Sequence, residues 1–160
     1  MAYLIKHNNG VQRIGNNVFN VKDKSTSAIY TVDQPTPFSS PAGIALDIAN
    51  DRYYVVNYNS SSVRIMQYST NTQLALITGF SGPYGIALDV ANDRYYVCNA
   101  TSSSVRIMQL STNTQIALIT GFSTPYGIAL DIANDRYYVC NSTSSSVRIM
   151  QLSTNTQIAL

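Results

Sequence analysis

One unit of 42 residues recurs almost verbatim along this chain, and such a chain can bury its apolar surface only by stacking copies of the unit on one another. Pro41-Ala42-Gly43-Ile44-Ala45-Leu46-Asp47 returns from Pro83 to Asp89 and again from Pro125 to Asp131, 42 residues on each time. The rest of the unit keeps step, through Asp-Arg-Tyr-Tyr-Val, Ser-Val-Arg-Ile-Met-Gln and Ser-Thr-Asn-Thr-Gln. A period of about 40–45 residues built from short strands is the range of propeller blades.

The middle copy divides into β-compatible runs separated by turn chemistry. The runs are 85–89, 94–99, 104–110 and 115–120, with Pro83-Tyr84 leading into the first. Asn92 and Asp93 predict a turn between the first two, because their side chains tolerate left-handed backbone and mimic its hydrogen bonds. In the third run Val105 and Ile107 alternate with Arg106 and Met108, which places the two pairs on opposite faces. The expected unit is a four-stranded antiparallel meander. The expected fold is therefore all-β, a propeller of about four blades per chain, either open or completed by oligomerisation.

Three blades are read at 41–82, 83–124 and 125–160, the last incomplete. Residues 1–40 are read as a diverged first blade or an anchoring or capping β element, with strands at 2–6, 11–14, 18–23 and 28–32. All three lysines (Lys6, Lys22, Lys24) lie in this segment, whereas the repeats use Arg.

Composition narrows the function. There is no Glu, no Trp and one His, and charged residues make up 11% of the chain with a net charge of +2. So small a charge gives no footprint for phosphate contacts, and the repeated Arg64, Arg106 and Arg148, expected towards the outside, are nearly matched by Asp. No nucleic-acid partner is expected. No stretch is long and apolar enough for membrane insertion. Cys98 and Cys140 replace Val56 at one repeat position, which reads as a small apolar packing site rather than a disulfide.

The unit Pro-x-Gly-Ile-Ala-Leu-Asp, followed by Arg-Tyr-Tyr-Val and Ser-Val-Arg-Ile-Met, resembles the NHL repeats of β-propellers and is similar to YVTN-type surface-protein repeats. The likeness covers 41–160. Blades of the NHL type usually carry Gly-Asn before the second strand and Asp after its Tyr-Val. Here Ala-Asn-Asp-Arg precedes that strand, and Asn57, Asn99 and Asn141 follow it. The resemblance implies a fold shared with metal-dependent lyases, lactonase-like hydrolases and RNA-binding domains, so a propeller hydrolase or lyase and an RNA-binding domain are the alternative readings. With His7 alone and no Glu, a His-based zinc site within one chain is ruled out by count.

Two sets of repeated residues are candidates for a site. Asp47, Asp89 and Asp131 end the first strand of each blade, and a ring of hard oxygen ligands there could hold Ca²⁺. The bland alternative is that each caps its own turn. Tyr84 and Tyr126, with Asn57, Asn99 and Asn141 near them in sequence, could stack on and hydrogen-bond a sugar, or simply pack between blades. No nucleophile–base pattern or phosphate loop is present, so an enzyme is not expected. The expectation is a non-enzymatic homo-oligomer used in structural assembly or in multivalent protein or glycan binding, at an extracellular, filament or virion surface.

Overall fold

The computed structural model describes residues 12–14, 18–20 and 38–159. It divides the chain into two compact units, 1–37 and 38–160. In the first unit, β1 (Gln12–Ile14) and β2 (Val18–Asn20) pair antiparallel, with Arg13 opposite Phe19. The other strands expected in 1–40 lie outside the described residues, and with them the expectation of a fourth blade.

The second unit consists of three four-stranded antiparallel sheets, each a meander in chain order. The first blade is β3 (Pro41–Asp47), β4 (Arg52–Asn57), β5 (Ser62–Gln67) and β6 (Gln73–Ile77). The second is β7 (Pro83–Asp89), β8 (Arg94–Asn99), β9 (Ser104–Gln109) and β10 (Gln115–Thr120). The third is β11 (Pro125–Asp131), β12 (Arg136–Asn141), β13 (Ser146–Gln151) and β14 (Gln157–Ala159). The expected turns follow from left-handed residues: Asp51, Asp93 and Asp135 have φ of 55°, 57° and 56°, and Asn71, Asn113 and Asn155 have φ of 56°, 58° and 59°. Asp and Asn are the residues that reach this conformation most readily after Gly.

The blades stack face to face, and the sequence of the second strand explains how. After its Arg, the run Tyr-Tyr-Val-Val/Cys is apolar at consecutive positions, so it loads both faces of the sheet, as a strand covered on both sides must. One face of the first blade (Ala45, Tyr54, Val56, Val63, Ile65) meets the opposite face of the second (Ile86, Leu88, Tyr95, Val97, Met108, Leu110), with Phe80 from the connecting segment. The next core repeats it, with Tyr96, Cys98, Val105 and Ile107 against Ile128, Leu130, Tyr137, Val139, Met150 and Leu152, and with Phe122. Each fully buried aliphatic or aromatic side chain contributes roughly 1.5–3 kcal/mol. Burial pushes the Tyr95 and Tyr137 phenols up, because the charged form would be desolvated.

The first strands of adjacent blades run close beside each other, and glycine permits the approach. A Cβ on Gly43 would fall on the carbonyl oxygen of Tyr84, and one on Gly85 on that of Tyr126. Gly127 meets no such neighbour, only the Cβ and Sγ of Cys140 at 3.6 Å. A bulge in each blade sets the relationship up. Pro125 pairs with Asn141 and Gly127 with Cys140, so Tyr126 is an extra residue pushed out of the ladder. Tyr84 and Ala42 occupy the same place in the other blades. Bulges commonly re-aim a side chain in this way.

Candidate interaction surfaces

The bulge delivers Tyr84 and Tyr126 to one rim of the stack. Their rings meet edge to face with centroids 4.3 Å apart, and Tyr58 extends the row, 4.9 Å from Tyr84. Tyr58 and Tyr126 are partly exposed and Tyr84 lies between them. Burial within the row, with Tyr126 beside it, raises the Tyr84 phenol. Tyr58 was not a candidate from sequence, because Ala100 and Ser142 hold its place in the other repeats. Departure from the repeat is itself the signal: Tyr58, a bulky ring found in one copy only, fills space beside Tyr84.

Asn57, Asn99 and Asn141 do not join this row. All three are buried. Their side-chain oxygens accept from the backbone N–H of Ser39, Ser81 and Ser123 at 3.1, 3.2 and 3.0 Å. Their amide groups donate to the Val55 carbonyl, the Ser104 hydroxyl and the Val139 carbonyl. Each therefore braces the segment leading into its own blade. An amide can accept and donate at once, whereas a buried carboxylate in the same place could only accept.

Asp47, Asp89 and Asp131 are likewise engaged within their blades. Each carboxylate accepts from the side-chain amide three residues on, from Asn50 at 2.9 and 3.0 Å, Asn92 at 3.1 and 2.8 Å, and Asn134 at 3.1 and 2.9 Å. Among the described residues, no three metal-ligating side chains converge. The capping alternative accounts for these contacts. Asp51, Asp93 and Asp135 tie the first turn to the end of the third strand. Asp93 accepts from the Ser111 N–H at 2.8 Å, the Ser111 hydroxyl at 2.6 Å and Gln109 at 3.0 Å. These bonds, the serine hydroxyl's first, hold all three carboxyls below their ordinary range.

The third-strand arginines serve the fold rather than an outward basic face. Arg64, Arg106 and Arg148 lie over the rings of Phe38, Phe80 and Phe122 at 5.0, 5.0 and 4.9 Å.

Among the described residues, large apolar side chains are exposed in three places. The outer strands present Leu74 and Leu76, Ile116 and Leu118, and Ile158, all about half exposed, on the rim of every blade, the fully flanked middle one included. The other two lie on the first and third described blades. On the first blade Ile44 and Leu46 are 63% and 53% exposed, above a depression lined by Phe38, Pro41, Ala42, Tyr53 and Val55. Ile86, the equivalent of Ile44, is 8% exposed. On the third blade Val147 is 47% exposed, whereas Val63 and Val105 are fully buried. Cys140 is exposed there while Cys98, one repeat earlier, is buried and its thiol pushed up to about 12. Both cysteines are free.

No family model matches the chain, and no curated protein matches it. Solved structures do. The hydrazine synthase of Kuenenia stuttgartiensis superposes with a TM-score of 0.69 at 19% identity, over 80% of this chain and 37% of that one. The structure of U3-55K gives 0.64 at 13% identity, over 74% and 38%. The WD40 repeats of RRP9 give 0.65 at 14% identity, over 74% and 37%. The described blades are thus a β-propeller segment, and the chain spans less than two fifths of the length of these proteins. At such identities the likeness concerns architecture alone.

Proposed function

We propose that this protein is a non-enzymatic propeller scaffold whose primary property is self-association, with blades of the NHL-like type suggested by their Pro-x-Gly-Ile-Ala-Leu-Asp unit. The carrying observation is the apolar stripe that the outer strands repeat on every described blade, Leu74 and Leu76, Ile116 and Leu118, and Ile158, each about half exposed. The middle blade, flanked on both faces, keeps this stripe exposed as well. An exposed apolar face rimmed by polar loops favours association. A surface, filament or virion component would use such a building block repeatedly. The test is the dependence of thermal stability on concentration. A self-associating fold gains stability as the protein is concentrated. The proposal expects the unfolding midpoint to rise with concentration, and a midpoint constant over a hundredfold range would refute it.

A second reading has its own support. The Leu74/Leu76, Ile116/Leu118 and Ile158 stripes repeat blade by blade on the rim, and the Tyr58–Tyr84–Tyr126 row crosses all three blades. Repeated equal surfaces suit multivalent capture of a protein or glycan, since linked weak sites gain avidity. A glycan array and a Tyr126→Ala variant separate sugar stacking from protein contact.

A further inference from the structure

Arg106, on the middle blade, is only partly committed to the fold. Its guanidinium lies over the Phe80 ring at 5.0 Å. Among the described residues no carboxylate or carbonyl accepts a hydrogen bond from it, and its Nε is buried without a partner. Its Nη1 lies beside the exposed Gly79, 3.9 Å from where a Cβ would stand. Arg148 repeats the arrangement over Phe122, with Nε again unpartnered and Nη1 3.7 Å from the Cβ position of the exposed Gly121. A guanidinium carries five N–H donors in a planar fork that matches a carboxylate.

The groups beside this charge are aliphatic. Leu118 on β10 is the cross-strand partner of Arg106, so both side chains stand on one face of the blade. Ile116, the extra residue of a bulge in β10, adds a second exposed aliphatic group. β10 is also the last strand of its sheet, with one edge unpaired among the described residues. An extended chain can add to such an edge through its backbone, while its side chains meet those of the blade.

Resting on the capture of a protein given above as the second reading, we infer that the outer flank of the middle blade binds an extended acidic peptide of another protein. Its carboxylate meets Arg106, and its aliphatic side chains lie against Leu118 and Ile116. Arg148 with Ile158 offers an equivalent site on the third blade. Charge complementarity selects this occupant, because the open charge is positive and every carboxylate of the blades already accepts hydrogen bonds within its own blade. A second copy therefore brings no free acid from its blades. Nucleic acid is disfavoured, since Arg and Asp are equal in number within 38–160 and no positive field surrounds the site.

The test uses the intact chain and synthetic peptides in which leucine alternates with aspartate, with asparagine or with lysine. Isothermal titration calorimetry is expected to show more than one aspartate peptide bound per chain. Its affinity should fall about tenfold between roughly 0.05 and 0.5 M salt, because an ion pair at the surface is screened. Leu118→Glu, at an exposed position, sets a carboxylate opposite Arg106 and fills the site from within, so the number of peptides bound should drop by one. Thermal melting confirms that the variant is folded. If the asparagine peptide binds as well as the aspartate one, or Leu118→Glu binds as many peptides as wild type, the inference fails and the capture reading stands. Binding of none of the three peptides also overturns it, and hydrogen exchange protected at 116–120 on self-association would then give this surface to a second copy. The capture reading itself falls only if the glycan array is silent as well.

Discussion

The carbonyl oxygen of Tyr126 occupies the place where a side chain on Gly85 would begin. This contact fixes the spacing of neighbouring blades, and it recurs between Tyr84 and Gly43. Because the obstacle is backbone, it cannot swing aside as a flexible side chain would. Gly85→Ala must push the blades apart or distort the bulge, at a cost of about 3 kcal/mol, the upper part of the range for overpacking. Gly127→Ala, whose Cβ would meet only Cys140 at 3.6 Å, should change stability by less than about 0.5 kcal/mol, as a surface substitution does. Urea unfolding of the two variants side by side checks the contrast.

The buried asparagines give a second prediction. Asn99→Asp keeps the acceptor for the Ser81 N–H but puts a charge in a fully buried site and removes the donor to Ser104. Destabilisation of about 3 kcal/mol is expected at neutral pH, where the carboxylate is ionised. Part of it should return on acidification, as protonation removes the buried charge. Asn99→Ala strands the Ser81 N–H and should cost about 1–3 kcal/mol with no pH dependence of its own. Thermal melts at several pH values distinguish the two.

Asp51, Asp93 and Asp135 predict how the fold responds to acid. Their carboxyls are held below the ordinary range by serine hydroxyls and glutamine amides. The unfolded chain therefore takes up protons first as pH falls. The stabilisation is fully present above the unfolded value of about 3.9 and is lost as pH drops through the lower folded values. Substituting all three by Asn, which tolerates the left-handed backbone, should lower the melting temperature at pH 7 and flatten its decline below about pH 4. An unchanged acid slope would assign the acid sensitivity to other groups.

Arg106 and Phe80 supply a fourth prediction. The guanidinium lies over the ring at 5.0 Å, an arrangement worth about 0.5–2 kcal/mol. Arg106→Met keeps an apolar stem and loses the charge, so it should destabilise by an amount in that range. With Phe80 already replaced by Leu, the same substitution should cost less. A double-mutant cycle in urea measures the difference.

Much of the blade was legible in the sequence. The second and fourth strands of the middle copy, 94–99 and 115–120, were read with the bounds the structure gives them, because Asn and Asp mark the intervening turns and β-branched and aromatic residues fill the strands. The opposite facing of Val105/Ile107 and Met108 also holds, since they enter different cores. The site was less legible for definite physical reasons. Asn99 looks like an exposed loop residue until the segment through Ser81 is seen to cross it. Cys98 and Cys140 have almost the same neighbours in sequence, yet one is buried and the other exposed. Position in the stack decides that difference, and no local pattern encodes it.

The central claim is that the protein is a scaffold that associates with copies of itself. The most direct measurement is the solution mass of the purified chain by light scattering across a concentration series. The account predicts the 17.5 kDa chain at high dilution and discrete multiples of that mass as concentration rises. A mass that stays at one chain throughout would contradict it.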